Sequence, residues 1–343
     1  MKENKYLQWL SGNTQSIYWH DSAVQKEQVT AFENGAVGMT TNPFLINSTL
    51  NSDRPFWEES LSRLQKDLQG DDKALALIQM VTGYYADALR PIYEKGIPGK
   101  GYVCAQTNPL HTGEEDVMVA QAIVLSKWAP NIVVKLPATK AGIRAYERCV
   151  EMGINVAATV SFTVPQVLAV GAAAERGKKA AASKGITPGL TIAVMMVGRL
   201  DDYLRDVAHD NYPHVTENDI RQAGTACFKK AYSLFAQRGY DTFLMPAGCR
   251  GAYHITELAG ARMIASIAPK IAEFLEDVNV FEERIDLPVE PGTVERLSSM
   301  AEFRKAYFED GMDAREFITF GSTNRTTDQF INSGWNPLIS YRI

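Results

Sequence analysis

Histidine and cysteine are scarce in this 343-residue chain, and neither is spaced for metal or redox work. The five histidines, His20, His111, His209, His214 and His254, form no HxxxH or HExxH pair. Metal sites need convergent ligands, so a metal enzyme has little support. His209 and His214 flank Asp210, Asn211, Tyr212 and Pro213, a stretch that reads as a loop. Cys104, Cys149, Cys227 and Cys249 show neither CxxC spacing nor the density of a disulfide scaffold, which points to reduced thiols and a cytoplasmic protein. No apolar stretch reaches the ~18 residues of a membrane span, and the start MKENKYLQWL has no signal-peptide core. No GxGxxG follows the first apolar run and no GxxxxGK[ST] occurs, which removes the usual nucleotide signals. Gly171, Gly177 and Gly185 lie in a small-residue region without the context of a phosphate loop. Basic residues form no long run and the net charge is -5, so nucleic acid has no electrostatic case. Any positive charge that binds a ligand must be local.

With 45% of residues hydrophobic and 22% charged, the chain can bury a large core. Short apolar runs alternate with longer helical patterns, the mark of βαβ units and a parallel sheet. Eight strands are expected: Ser16–His20, Ala36–Thr40, Gly101–Gln106, Asn131–Leu136, Ile154–Val160, Leu190–Met196, Thr242–Pro246 and Met263–Ile267. Helical patterns between them include Glu115–Lys127, Lys140–Glu151 and Glu217–Arg238. The longest gap carries two, Pro55–Leu68 and Asp72–Arg90, with Pro91 marking the stop and Gly96-Ile97-Pro98-Gly99 the turn. Eight such units suit a closed (β/α)8 TIM barrel of the α/β class better than an open sheet. The expected organisation is a single domain over 1–343, its barrel core at about 16–282, with extra helices and a C-terminal extension over 283–343. Phe317, Phe320, Phe330 and Trp335 in that extension could cover the barrel or contact a second subunit of a homo-oligomer.

The strand Asn131-Ile132-Val133-Val134-Lys135-Leu136-Pro137 is the most informative, because a lysine follows three β-branched residues near its C-terminal end. Both faces of a barrel strand are covered, so this amine cannot easily reach bulk water. Desolvation disfavours the charged form of an amine, and a neutral amine attacks carbonyls. The bland alternative is a strand-end lysine that snorkels to solvent. Other polar residues recur at the same rim. Asp21 follows the first strand, Thr40 and Asn42 end and follow the second, and Gln106 ends the third. Thr159 and Ser161 lie at the end of the fifth, and Arg199 and Arg250 follow the sixth and seventh. Singly, Asp21 reads as a helix N-cap, Asn42-Pro43 as a turn and the arginines as solvated charges. Together they put six coincidences at the face where barrels place their chemistry.

At these residues the chain resembles the transaldolase family and its relative, fructose-6-phosphate aldolase. The segments that carry the likeness are GMTTNPFLI, VVKLPATKAGIRAYERCVEMGINVAATVSFTVPQ, VGR and ELAG, within roughly residues 16–270. The resemblance implies a cofactor-free class I aldolase acting on a sugar or sugar phosphate, with Lys135 as the Schiff-base lysine and Asp21 as acid/base. It implies that Asn42 and Thr40 hold hydroxyls of a dihydroxyacetone unit, with Ser161 also in the binding set. Thr159 would position the water or hydroxyl of carbinolamine formation, and Arg199 with Arg250 would receive an anionic group, since planar guanidinium forks suit phosphate.

Three departures stand out. Transaldolases carry a glutamate where this chain has Gln106, and the fructose-6-phosphate aldolase branch carries a tyrosine where it has Met196. Hydroxyl side chains are expected where Val194 and Gly248 stand. Tyr18, His20 and Cys104 are candidates by proximity for the missing acid/base. Two further readings stay open: a lysine-dependent aldolase for an unphosphorylated or unusual sugar, and a non-catalytic sugar-binding barrel.

Overall fold

The computed structural model describes residues 3–343, apart from the side chain of Asp210. All eight expected strands form. They are β1 (Ile17–His20), β2 (Gly38–Met39), β3 (Tyr102–Gln106), β4 (Ile132–Pro137), β5 (Val156–Thr159), β6 (Thr191–Met195), β7 (Phe243–Pro246) and β8 (Ile264–Ile267). Each pairs in parallel with its sequence neighbour, β1 also pairs with β8, and a bridge between Leu244 and Met263 closes the ring. This is a (β/α)8 barrel. Its strands are buried on both faces, β4 along its whole length, which is why they read as continuous apolar runs.

Local chemistry fixes the elements around β4. The helix Lys140–Glu151 starts where Thr139 Oγ1 accepts from the Gly142 amide at 3.0 Å, satisfying one free N–H of the first turn. Gly142 passes so close to β4 that a Cβ would lie 1.9 Å from the Pro137 carbonyl oxygen. The small residues Gly171 and Gly177 have a packing reason too. They lie on the helix Val164–Ser183, where a Cβ would strike Tyr240 and the Glu147 carbonyl. Inside the barrel, Gly38 of β2 makes room for the Trp19 indole, whose Nε1 donates to the Gly99 carbonyl at 2.8 Å.

Three expectations are corrected. Pro91 does not stop its helix, which runs Gly70–Tyr93. The carbonyl left without a partner by a proline there is that of Asp87, an exposed residue that water can serve. His209 is not in a loop but in the last turn of the helix Val197–Asn211. β5 ends at Thr159 rather than Val160, because Val160 adopts φ +54°, a left-handed conformation that β-branched residues rarely enter.

The C-terminal stretch packs on the barrel rather than away from it. The helix Pro291–Leu297 lies on Glu217–Arg238, where Arg296 pairs with Asp219 at 2.6 Å. Further on, Trp335 Nε1 donates to Asp71 Oδ1 at 2.8 Å, and the Tyr341 hydroxyl donates to the Leu50 carbonyl at 2.7 Å. Gly334 sits against the Pro43–Phe44 backbone so closely that a Cβ would lie 2.7 Å from the Phe44 nitrogen. These contacts carry the helix Gly321–Phe330 to the C-terminal rim of the strands. Among the described residues, no helix is long and apolar enough to cross a membrane.

Candidate active site

Register brings the polar strand ends to one level. Gln106 lies opposite Lys135, Pro137 opposite Thr159, and His20 opposite Met39. Above them is a cavity of about 200 Å³, lined among others by Asp21, Thr40, Asn42, Lys135, Thr159, Arg199 and Arg250. Seven of the nine expected site residues therefore share one cavity.

Lys135 is buried, and its Nζ donates to the Thr41 carbonyl at 3.1 Å, which holds the amine at the floor of the cavity. Thr41 is itself fixed, its hydroxyl donating to the Cys104 carbonyl at 2.7 Å. Asp21 is not an N-cap, since Val24 holds that position for the helix that follows. Its Oδ1 accepts from Thr40 Oγ1 at 2.6 Å, and Thr40 Oγ1 lies 2.8 Å from Ser266 Oγ. A threonine hydroxyl has one proton, which Thr40 gives to Asp21, so Ser266 donates to Thr40. Asn42 is both turn and cavity wall. Its Oδ1 caps the helix Pro43–Ser52 by accepting from Leu45 N at 3.0 Å, and the residue also lines the cavity.

Gln106 and Ser161 do not line the cavity. Gln106 is buried beside Lys135 with its Oε1 lacking a hydrogen-bond partner. Ser161 lies beyond the left-handed turn at Val160, and its buried hydroxyl donates to the Val194 carbonyl instead. Tyr18 and His20 are also turned away from the cavity. They line a different one, of about 500 Å³, with residues of the helices Gln25–Glu33 and Pro269–Leu275. Strand alternation explains this, because Asp21 and His20 are adjacent and face opposite sides. Cys104 is buried below the cavity, where desolvation pushes its thiol up to about 11.

At the distal end both arginines are engaged, although Arg199 Nε is buried without a partner. Burial, and then the Arg250 charge, holds the Arg199 guanidinium below its ordinary value. Arg199 Nη1 donates to Gln329 Oε1 at 2.7 Å, and its Cζ stands 5.9 Å from the Phe330 ring centroid. Arg250 is more exposed. Its Nε donates to Asp202 Oδ2 at 2.7 Å and its Nη1 to the Gly248 carbonyl at 2.9 Å. The loop beneath it rests on a buried pair. His254 Nδ1 accepts from the Arg250 amide at 3.1 Å while Nε2 lies 2.9 Å from Asp201 Oδ2.

Val194, Gly248 and Met196 line the cavity where hydroxyl-bearing side chains are expected. Sequence reasoning missed Ser266 and Gln329 as lining residues and offered Phe330 only as a residue that could cover the barrel or meet a second subunit. The first is a lone serine in an apolar strand, and the others reach the mouth only through tertiary packing.

The family model described as transaldolase/fructose-6-phosphate aldolase matches residues 18–331. The chain is 30% identical to a protein named transaldolase from Thiobacillus denitrificans over 178 residues, covering 49% of this chain and 48% of that one. It is 28% identical over 170 residues to transaldolase 1 of Streptomyces avermitilis, covering 48% and 45%. A transaldolase of Methylomonas aminofaciens is 27% identical over 301 residues, covering 84% and 86%. The chain thus spans about half the length of the first two relatives and most of the third.

Proposed function

The chain belongs to the transaldolase/fructose-6-phosphate aldolase family, and from that premise we propose that it is a Schiff-base aldolase or transaldolase working on Lys135. It transfers or releases a dihydroxyacetone unit between a ketose and an aldehyde. The observation that carries this reading is the single amine of Lys135, buried at the barrel's C-terminal face in one cavity with Asp21, Asn42 and Thr159. A binding protein would have no need of a buried amine that shares a cavity with a carboxylate.

The proposed cycle starts when the Lys135 amine adds to the ketose C2 carbonyl, giving a carbinolamine, whose hydroxyl, placed by Thr159, takes a proton from solvent and departs as water. The iminium left behind withdraws electrons from C3. Asp21 takes the C4 hydroxyl proton, the C3–C4 bond breaks, and its electrons form the enamine as the aldehyde leaves. The enamine then adds to a second aldehyde, or it is protonated and the iminium hydrolysed. Asp21 sits at the end of the Ser266–Thr40 hydroxyl chain, and we assign that chain the task of orienting the carboxylate. We further propose that 1–343 acts as one unit, because the C-terminal stretch supplies Gln329 and Phe330 to the cavity wall.

The test is turnover of a ketose with and without an aldehyde acceptor, in wild type and Lys135→Met. Loss of turnover in the variant with folding retained is expected. Undiminished turnover would overturn the assignment.

A further inference from the structure

The distal end of the cavity is closed from inside the chain. Gln329 and Phe330 come from the helix Gly321–Phe330 and stand against Arg199, which the site reading assigns to an anionic group. A guanidinium only donates, so the Gln329 amide must turn its oxygen to Arg199. Its NH2 group is then the polar face left over, and that group donates in turn. Arg250 has its Nε and one terminal nitrogen on the Asp202 carboxylate at 2.7 Å and its Nη1 on the Gly248 carbonyl. Arg250 therefore presents no free fork, and on Arg199 Gln329 takes Nη1 while Nε is buried without a partner, whereas bidentate phosphate recognition needs an accessible fork. The Asp202 carboxylate also offsets the charge of Arg250. A phosphate dianion would have to displace Gln329 from Arg199 and approach the Asp202 carboxylate.

Two further observations point the same way. Val194 and Gly248, which line this end, bring no hydroxyl to an anion, and the Gly248 Cα faces the Arg199 side chain, where a Cβ would lie 3.5 Å from Cγ. The cavity is also small. At about 200 Å³ it falls below the ~300 Å³ at which ligand cavities usually begin. The closure is held in place by the Trp335–Asp71 bond and the close seat of Gly334 on the helix that Asn42 caps.

We propose that Gln329 determines specificity, and that the distal subsite takes an uncharged, hydroxyl-bearing terminus, so that the substrates are short unphosphorylated ketoses and aldehydes. This deepens the Schiff-base reading and rests on it for the identity of the reaction, but the subsite can be read without catalysis. In that subsite Gln329 satisfies the Nη1 donor of Arg199 and offers the amide NH2 to a hydroxyl oxygen. Phe330 shields the guanidinium from water and walls off a longer chain.

The experiment compares wild type, Gln329→Ala and the near-isosteric Gln329→Glu as full-length chains. Calorimetric titration with inorganic phosphate reads the subsite directly. Weak binding in wild type, about tenfold tighter binding in Gln329→Ala and none in Gln329→Glu are expected. Kinetics then compare D-fructose with fructose 6-phosphate, and glyceraldehyde with its 3-phosphate. Wild type should favour the neutral member of each pair by about tenfold or more in kcat/KM. Gln329→Ala should move that ratio toward the phosphates chiefly through KM. A wild type that prefers the phosphates, or a ratio and phosphate affinity unchanged in Gln329→Ala, would overturn the inference. Borohydride capture of dihydroxyacetone, which is too short to reach Arg199, tests the Schiff base separately. An adduct combined with phosphate preference sinks only the specificity, whereas a missing adduct sinks the reaction and leaves the phosphate titration to decide the subsite.

Discussion

Lowering the pH should destabilise this fold through one histidine. His20 ends β1 with its side chain buried, and neither ring nitrogen has a hydrogen-bond partner. Desolvation lowers it from 6.5 to about 4. Between those values the unfolded chain binds a proton that the folded chain refuses, so stability falls as pH falls. The contribution is whole above pH 6.5 and is lost progressively toward pH 4. Linkage over that window amounts to roughly 2 kcal/mol by pH 5 and roughly 3 kcal/mol in full. His20→Leu removes both the titration and the two unpaired nitrogens while keeping an apolar body against the helices Gln25–Glu33 and Pro269–Leu275. Urea midpoints would be measured for both proteins at pH 7 and pH 5, and free energies compared where the slopes agree. Carboxylates common to both proteins cancel in the double difference. Wild type should lose about 2 kcal/mol more than the variant over that drop. Parallel losses would refute the claim that His20 is held neutral by burial.

Two other predictions concern the C-terminal stretch. Trp335→Phe keeps a buried ring but removes the N–H on Asp71, which should cost about 1–2 kcal/mol and speed proteolytic cleavage near Gly321–Phe330. Unchanged urea midpoints and cleavage rates would count against the closure being anchored there. Arg296 holds the Asp219 carboxyl well below the usual carboxylate range, chiefly by direct hydrogen bonding. A depressed carboxyl stabilises fully above its ordinary value and loses that contribution as pH falls from there through the lowered folded-state value. Arg296→Gln should therefore be less stable than wild type at pH 7, with the gap closing below about pH 4. A gap that is constant with pH would show that the pair contributes packing alone.

Much of the barrel was legible because its strands are short β-branched runs between strong breakers, and because Lys140–Glu151 and Glu217–Arg238 carry clear helical periods and caps. The site was legible where a residue's place follows from strand alternation, as for Lys135 and Asp21. It was less so where one backbone angle decides, and the φ of Val160 turns Ser161 from the cavity to the Val194 carbonyl. Pro91 misled because a proline in a last turn costs little when the carbonyl it orphans faces water. Gln329 carries no local signal, and Phe330 reads only as a hydrophobic residue free to cover the barrel or meet a second subunit. They matter because Trp335 and Gly334 dock the stretch that follows them some 260–290 positions from their contacts in the chain.

The central claim is that the amine of Lys135 forms the covalent bond to substrate. Its most direct test is borohydride reduction of the protein with dihydroxyacetone, followed by intact mass and peptide mapping. The account predicts one reduced adduct, on the peptide that contains Lys135, absent from Lys135→Met. An adduct on another lysine, or none on folded protein, would contradict it.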